Sequence, residues 1–406
     1  MRPVYGRSPW IDRVATSRVP AYAKARGDVD VDVAIVGGGL AGCATAYAFA
    51  AAGVAVALFE AERVGQGSSG ASSGWITDEP DLGFTALDAA IGRRAARQVW
   101  QAWHRAAVDL TGLIRRLGIR CHVDARPSLL VACSEAQAVL LARERKVRAA
   151  AGVDSAVPAP RALASATGFP VRAALRARSS AVVDPFLLTH GLAAAAAARG
   201  ALVFERSPVT KTASSKDGCI VTLASARVRA RHVVVATGNV PSWLKPLARH
   251  VRRRTTFLVE TAPVPAALRK VLGRRDHLLR DLAEPAHRIW WSADHRLLVS
   301  GADADAVPER SRAAVLVQRT GQLMYELSTL YPEISGLQAA YGWDVAQRVT
   351  RLGLPIAGPH RSYPGHGFAF GDVSQSLTGA FLSSRALLRQ YAGEALPDDA
   401  LLGFAR

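Results

Sequence analysis

Between Asp32 and Glu60 the chain leaves the fold little freedom. Residues 30–36 read as a strand, 40–52 as an Ala-rich helix and 54–60 as a second, parallel strand. Gly37, Gly39 and Gly42 stand at G-x-G-x-x-G spacing where the strand gives way to the helix, and Glu60 ends the next strand about 20 residues on, the context that a dinucleotide-binding βαβ unit requires. Gly37 permits the tight turn, Gly39 lets backbone approach a pyrophosphate, and Gly42 lets the helix lie close on the strand. The free N–H groups of the helix start, at Leu40 and Ala41, and its dipole hold phosphates. Glu60 then accepts hydrogen bonds from a ribose. Residues 33–59 carry no charge, but five glycines divide them, so they read as a buried unit and not a membrane span.

After Glu60 and Ala61 comes a loop dense in Gly and Ser, 65–74, containing Ser69, Gly70, Ala71, Ser72 and Gly74. A nicotinamide-binding domain has no need of it. FAD continues past its pyrophosphate, and small residues let backbone donors approach the ribityl chain and ring. FAD is therefore the expected cofactor.

The 406 residues suffice for two or three domains. Residues 1–27 read as an irregular N-terminal extension packed on the body. Helical patterns fall at 91–117, 135–150, 161–167, 186–198, 313–330 and 378–391, with strands at 128–132, 202–205 and 232–236. Residues 209–214 and 219–223 form a hairpin, and 257–260, 288–291 and 297–300 belong to a separate, mostly antiparallel sheet. The fold class is α/β, a Rossmann-like domain interrupted by a second, β-rich domain.

Half the residues are apolar, which excludes a disordered chain. The net charge of +18 comes from six lysines and 45 arginines spread along the chain. Without a block longer than Arg252-Arg253-Arg254, this is compositional bias and a nucleic-acid partner is not expected. Cys43, Cys121, Cys133 and Cys219 form no C-x-x-C pair and have no His at ligand spacing, so a reducing, cytoplasmic setting and no metal are expected. The first residues show no apolar core of signal-peptide type.

The chain resembles the FAD-dependent D-amino-acid oxidase superfamily of glycine oxidase, sarcosine oxidase and γ-glutamylputrescine oxidoreductase. The similarity lies in the Gly/Ser segment after Glu60, in Asp184-Pro185-Phe186 with its Ala-rich helix, in Pro208-Val209, and in Val233 to Gly238, ending Ala236-Thr237-Gly238. It continues in Thr350 to Gly358, and in Phe370-Gly371 with Ser376-Leu377-Thr378. The resemblance implies that Val209 meets the adenine through its backbone. It also implies that the helix opening at Ser376 to Thr378 faces the flavin pyrimidine, and that hydride passes from an amine or amino acid to flavin N5, leaving an imine. O2 or an electron carrier would reoxidise the flavin. Covalent attachment is not expected, because Ala71 stands where linked members carry His and no Cys follows Cys219. The implied FAD domain comprises 28–95, 181–250 and 340–406; 96–180 and 251–339 form the substrate domain.

Arg280, Arg288 and Arg348 are candidates to clamp a substrate carboxylate, since guanidinium binds it bidentately. Trp343 is a candidate pocket wall. Leu352 and Asp344 depart from the family pattern, and Asp344 is expected to put a carboxylate near the site. Two alternatives remain at this point: a flavin-dependent RNA-modifying enzyme, suggested by the charge, and a non-catalytic FAD-binding subunit of a hetero-oligomer, suggested by those departures.

Overall fold

The computed structural model describes residues 3–153, 155–371 and 377–404. Its first sheet runs in the order Val209–Ser215, Gly218–Leu223, Ala226–Val235, Gly27–Val36, Val56–Phe59, Leu202–Phe204. Tyr363–Phe370 joins it alongside Ala226–Val235, and Ile356–His360 pairs with Tyr363–Phe370. The middle of this sheet is parallel, with Val33 opposite Val56 and Val36 opposite Phe59. Residues 33–36 are buried on both faces, which is why they read as an unbroken apolar run. Leu40–Ala51 and Pro185–Ala197 pack together above it, and their alanines allow the close approach. Asp184 starts the second of these by accepting the Leu187 N–H (2.9 Å), with Pro185 at the first helical position.

The second sheet has the order Val4–Tyr5, Ala339–Thr350, Val251–Thr261, Leu297–Asp305, Arg288–Trp291, Leu278–Asp281, Ser128–Ala132, Ala173–Ala177. Most pairs are antiparallel; Val4–Tyr5 and Leu278–Asp281 make the parallel ones. Strand alternation splits its side chains. Phe257, Val259 and Val299 pack beneath helix Glu309–Leu330, while Leu258, Leu298, Trp290, Trp343 and Val345 meet Trp75 on the other face. That second face looks toward the Gly/Ser loop.

The expected elements are present, most of them longer than the sequence pattern indicates. The pattern gives no strand at Ala339–Thr350, and residues 340–350, grouped by sequence with the dinucleotide unit, pair along Val251–Thr261 in the second sheet. Helix Arg93–Arg116 departs in the opposite direction: its Trp103, Leu110 and Ile114 join the core of the dinucleotide unit. No helix among the described residues is long and apolar enough to cross a membrane.

Candidate active site

A cavity opens at the C-terminal ends of the parallel strands. Gly37, Gly39, Leu40 and Ala41 form its floor, Glu60 one edge, Ser69 and Ser72 a wall, and Ala236-Thr237-Gly238 the opposite strand end. Gly371 and Leu377 close it. The glycines are required by contact. A Cβ on Gly37, whose φ is +111°, would lie 2.5 Å from the Ala236 carbonyl, and one on Gly42 would lie 1.9 Å from the Gly37 carbonyl. Gly42 thus does not line the cavity; it seats the helix on the turn. The Glu60 carboxylate accepts the Gly38 N–H (2.6 Å) and the Glu62 N–H (2.9 Å). Ser69 Oγ accepts the Leu40 N–H (2.8 Å), tying the loop to the helix start.

Other sequence candidates lie elsewhere. Ala61 is exposed, Val209 begins the hairpin away from the cavity, and Gly358 abuts Gln390. Gly70, Ala71 and Gly74 lie in or after the loop but do not line the cavity. Thr378 is buried, its hydroxyl donating to the Thr77 carbonyl (2.7 Å). Ser376 lies outside the described residues. The cavity also takes in Gly38, Gly65, Gly67, Ser68, Pro355 and Phe370, which lie in segments the sequence marks, and Ala380 with Ser383 on helix Thr378–Ala392, which the sequence pattern does not single out. The i, i+3, i+6 spacing of Leu377, Ala380 and Ser383 is the available signal for this helical face.

The floor, the small-residue wall and the acid at the strand end fit an extended dinucleotide, with room for it secured by glycines that a Cβ would obstruct.

Arg280, Arg288 and Arg348 line one open cavity of about 1130 Å³. It adjoins the first cavity at Gly371, where a Cβ would lie 2.5 Å from Thr350 Cγ2 and 3.6 Å from the Arg348 carbonyl. Arg288 is buried and donates to Asp81 (2.5 Å); Arg280 stands 3.9 Å from the same carboxylate. Burial lowers the Arg288 pKa, with Asp81 opposing and Arg280 adding to the shift. Nε of both arginines and the indole N–H of Trp75 and Trp290 are buried without a hydrogen-bond partner among the described residues. Arg348 is also buried and donates to the Gln347 carbonyl (2.9 Å), its pKa lowered by burial and by Arg253. Gln347, the strand neighbour of Arg348, faces the opposite way, donating to Thr256 (2.6 Å), which donates to Asp303 (2.5 Å).

Two expectations change. Trp343 is fully buried in the aromatic layer and gives its indole N–H to the Ala71 carbonyl (2.8 Å), so it braces the loop and does not wall the open cavity. Asp344, its strand neighbour, points to the opposite face, where Arg312 of helix Glu309–Leu330 holds both its oxygens (2.9 and 3.0 Å). It places no carboxylate at the site. Among the described residues no group of His, Cys, Asp and Glu could hold a metal, and all four cysteines are free.

The sequence pattern of the DAO family, FAD dependent oxidoreductase, matches residues 32–390. Gamma-glutamylputrescine oxidoreductase of Escherichia coli is 25% identical over 349 residues, covering 82% of this chain and 78% of that protein. Glycine oxidase from Geobacillus kaustophilus has the same fold, with a TM-score of 0.76 at 20% identity over 93% of this chain and 99% of that one. L-amino acid deaminase from Proteus myxofaciens, solved with anthranilate, gives 0.77 at 15% identity over 95% of each.

Proposed function

The chain belongs to the FAD-dependent oxidoreductase family, and from that premise we propose that it oxidises the C–N bond of an amino acid, with FAD held non-covalently. Bound FAD supplies the two-electron acceptor for such a reaction and returns the electrons to O2 or a carrier. The chain's part is to bind, orient and exclude water. Gly37 to Ala41 and Glu60 hold the nucleotide half; the Ser69–Ser72 segment and the face of helix Thr378–Ala392 border the rest. Ala71 offers no nucleophile for a tether.

The observation that carries the substrate class is charge. Arg280 and Arg288 share one carboxylate, Asp81, and the Nε of each has no hydrogen-bond partner among the described residues. One carboxylate shared by two guanidinium groups leaves a positive charge uncompensated, and a substrate carboxylate offsets that cost while accepting from the unpartnered donors. An amino acid therefore suits this cavity better than the amine lacking its carboxylate. Bidentate contact fixes the substrate's angle, so that the carbon bearing nitrogen is held toward the cofactor side.

An anaerobic screen tests this reading. Amino acids should bleach the flavin band of the purified holoprotein while their decarboxylated counterparts leave it coloured. Equal bleaching by both, or bleaching by neither, defeats the proposal.

A further inference from the structure

Three consecutive carbonyls of the Gly/Ser loop are each taken by a side chain from another part of the chain. Ser8 Oγ donates to the Gly70 carbonyl (2.6 Å), Trp343 Nε1 to that of Ala71 (2.8 Å), and Trp10 Nε1 to that of Ser72 (3.0 Å). Within the loop, Ser68–Ala71 make one helical turn and Ser72 bonds back to the Ser69 carbonyl, so the turn is local, while these three bonds fix where it sits.

The donors share one base. Trp343 lies on Ala339–Thr350, and the N-terminal segment is fastened to that strand and its neighbour. Val4 and Tyr5 pair with Tyr341 and Gly342, the Tyr341 hydroxyl donates to Asp12 (3.0 Å), and Arg13 grips the fully buried Glu260 with both guanidinium nitrogens. Arg13 also stacks over the Tyr341 ring, 5.0 Å from its centre. A segment held at this many points delivers Ser8 and Trp10 from a rigid sheet rather than from a loose terminus.

We infer that Ser8, Trp10 and Trp343 are positioning residues, through which the second sheet sets the path of the loop whose Ser69 and Ser72 face the cofactor cavity. This rests on the reading that the loop borders FAD. With these carbonyls held from outside, Ser69 and Ser72 are fixed on the cavity side, and the cofactor meets a segment already ordered. The N-terminal extension is then part of the cofactor site, acting through the loop without touching the ligand.

The test removes each donor and keeps bulk: Ser8→Ala, Trp10→Phe and Trp343→Phe in the full chain. Each should raise the FAD dissociation constant about threefold or more, the scale of one lost hydrogen bond. Each should also change the visible circular dichroism of the flavin at saturating FAD, which reports how the ring is held. Parental constants and parental dichroism in all three overturn the inference, as does a loss of thermal stability with both readings unchanged. Should Trp343→Phe fail to fold, Ser8→Ala and Trp10→Phe decide the matter alone. Ser72→Val, on the cavity wall, separates the two readings. If it weakens FAD while the three do not, positioning fails; if it too has no effect, the loop does not border FAD.

Discussion

Glu60 follows the second parallel strand, and its place there follows from local pattern, because the strand, the glycine turn and the helix are adjacent in sequence. In the fold its carboxylate is held at the cavity edge by the Gly38 and Glu62 N–H groups, as the proposed ribose contact requires. Glu60→Ala should weaken FAD binding by about 1–3 kcal/mol, the usual cost of losing a hydrogen bond to a charged group, with the fold retained when FAD is in excess. Titration of the apoprotein with FAD checks this, and an unchanged affinity would mean that the cavity is not the dinucleotide site. Trp343 and Asp344 show the limit of local pattern. The sequence marks both as near the site, yet adjacent strand residues face opposite ways, and only the sheet's packing decides which side is which.

Elements with a strong period are legible in the sequence; those interrupted by charge are not. Helix Glu135–Ala150 and strand Arg288–Trp291 match their sequence limits, whereas Ala339–Thr350 is hidden because Asp344, Gln347 and Arg348 break its alternation. Those polar residues are buried by partners remote in sequence, Arg312 and Thr256 among them, which no local pattern discloses. One such remote contact gives a pH signature. His287, at the entry to strand Arg288–Trp291, pairs through Nδ1 with Asp281 (2.7 Å) and through Nε2 with Glu326 of helix Glu309–Leu330 (3.0 Å). Burial disfavours the charged ring, but the two carboxylates outweigh it and hold its pKa at about 9. A pKa raised in the folded state stabilises fully below the ordinary value of 6.5, and that contribution is lost as pH climbs through 9. The protein should lose on the order of 2 kcal/mol of stability between neutral and alkaline pH. Urea unfolding across that range measures it. His287→Gln should flatten the curve, and a variant whose slope equals the parent's excludes the clamp.

At the scale of the whole molecule, sequence indicates two sheets but not which segments share them. Pairings such as Val4 with Tyr341 and Val233 with His366 join segments far apart along the chain, and nothing local encodes them. The same arrangement governs when the protein can acquire its colour. The cofactor cavity draws its floor from Gly37 to Ala41 and its closing wall from Gly371, Leu377 and Ser383. A growing chain therefore holds half a cradle for most of its synthesis, and the loop-closing contacts that complete it are the slow, long-range kind. Chains stalled on the ribosome at residue 338 should pass a desalting column without FAD, and chains carried to completion should retain it; a stalled chain that keeps the flavin contradicts this. Loading is thus an event of the finished polypeptide, and a cell short of flavin accumulates complete, colourless protein rather than arrested fragments.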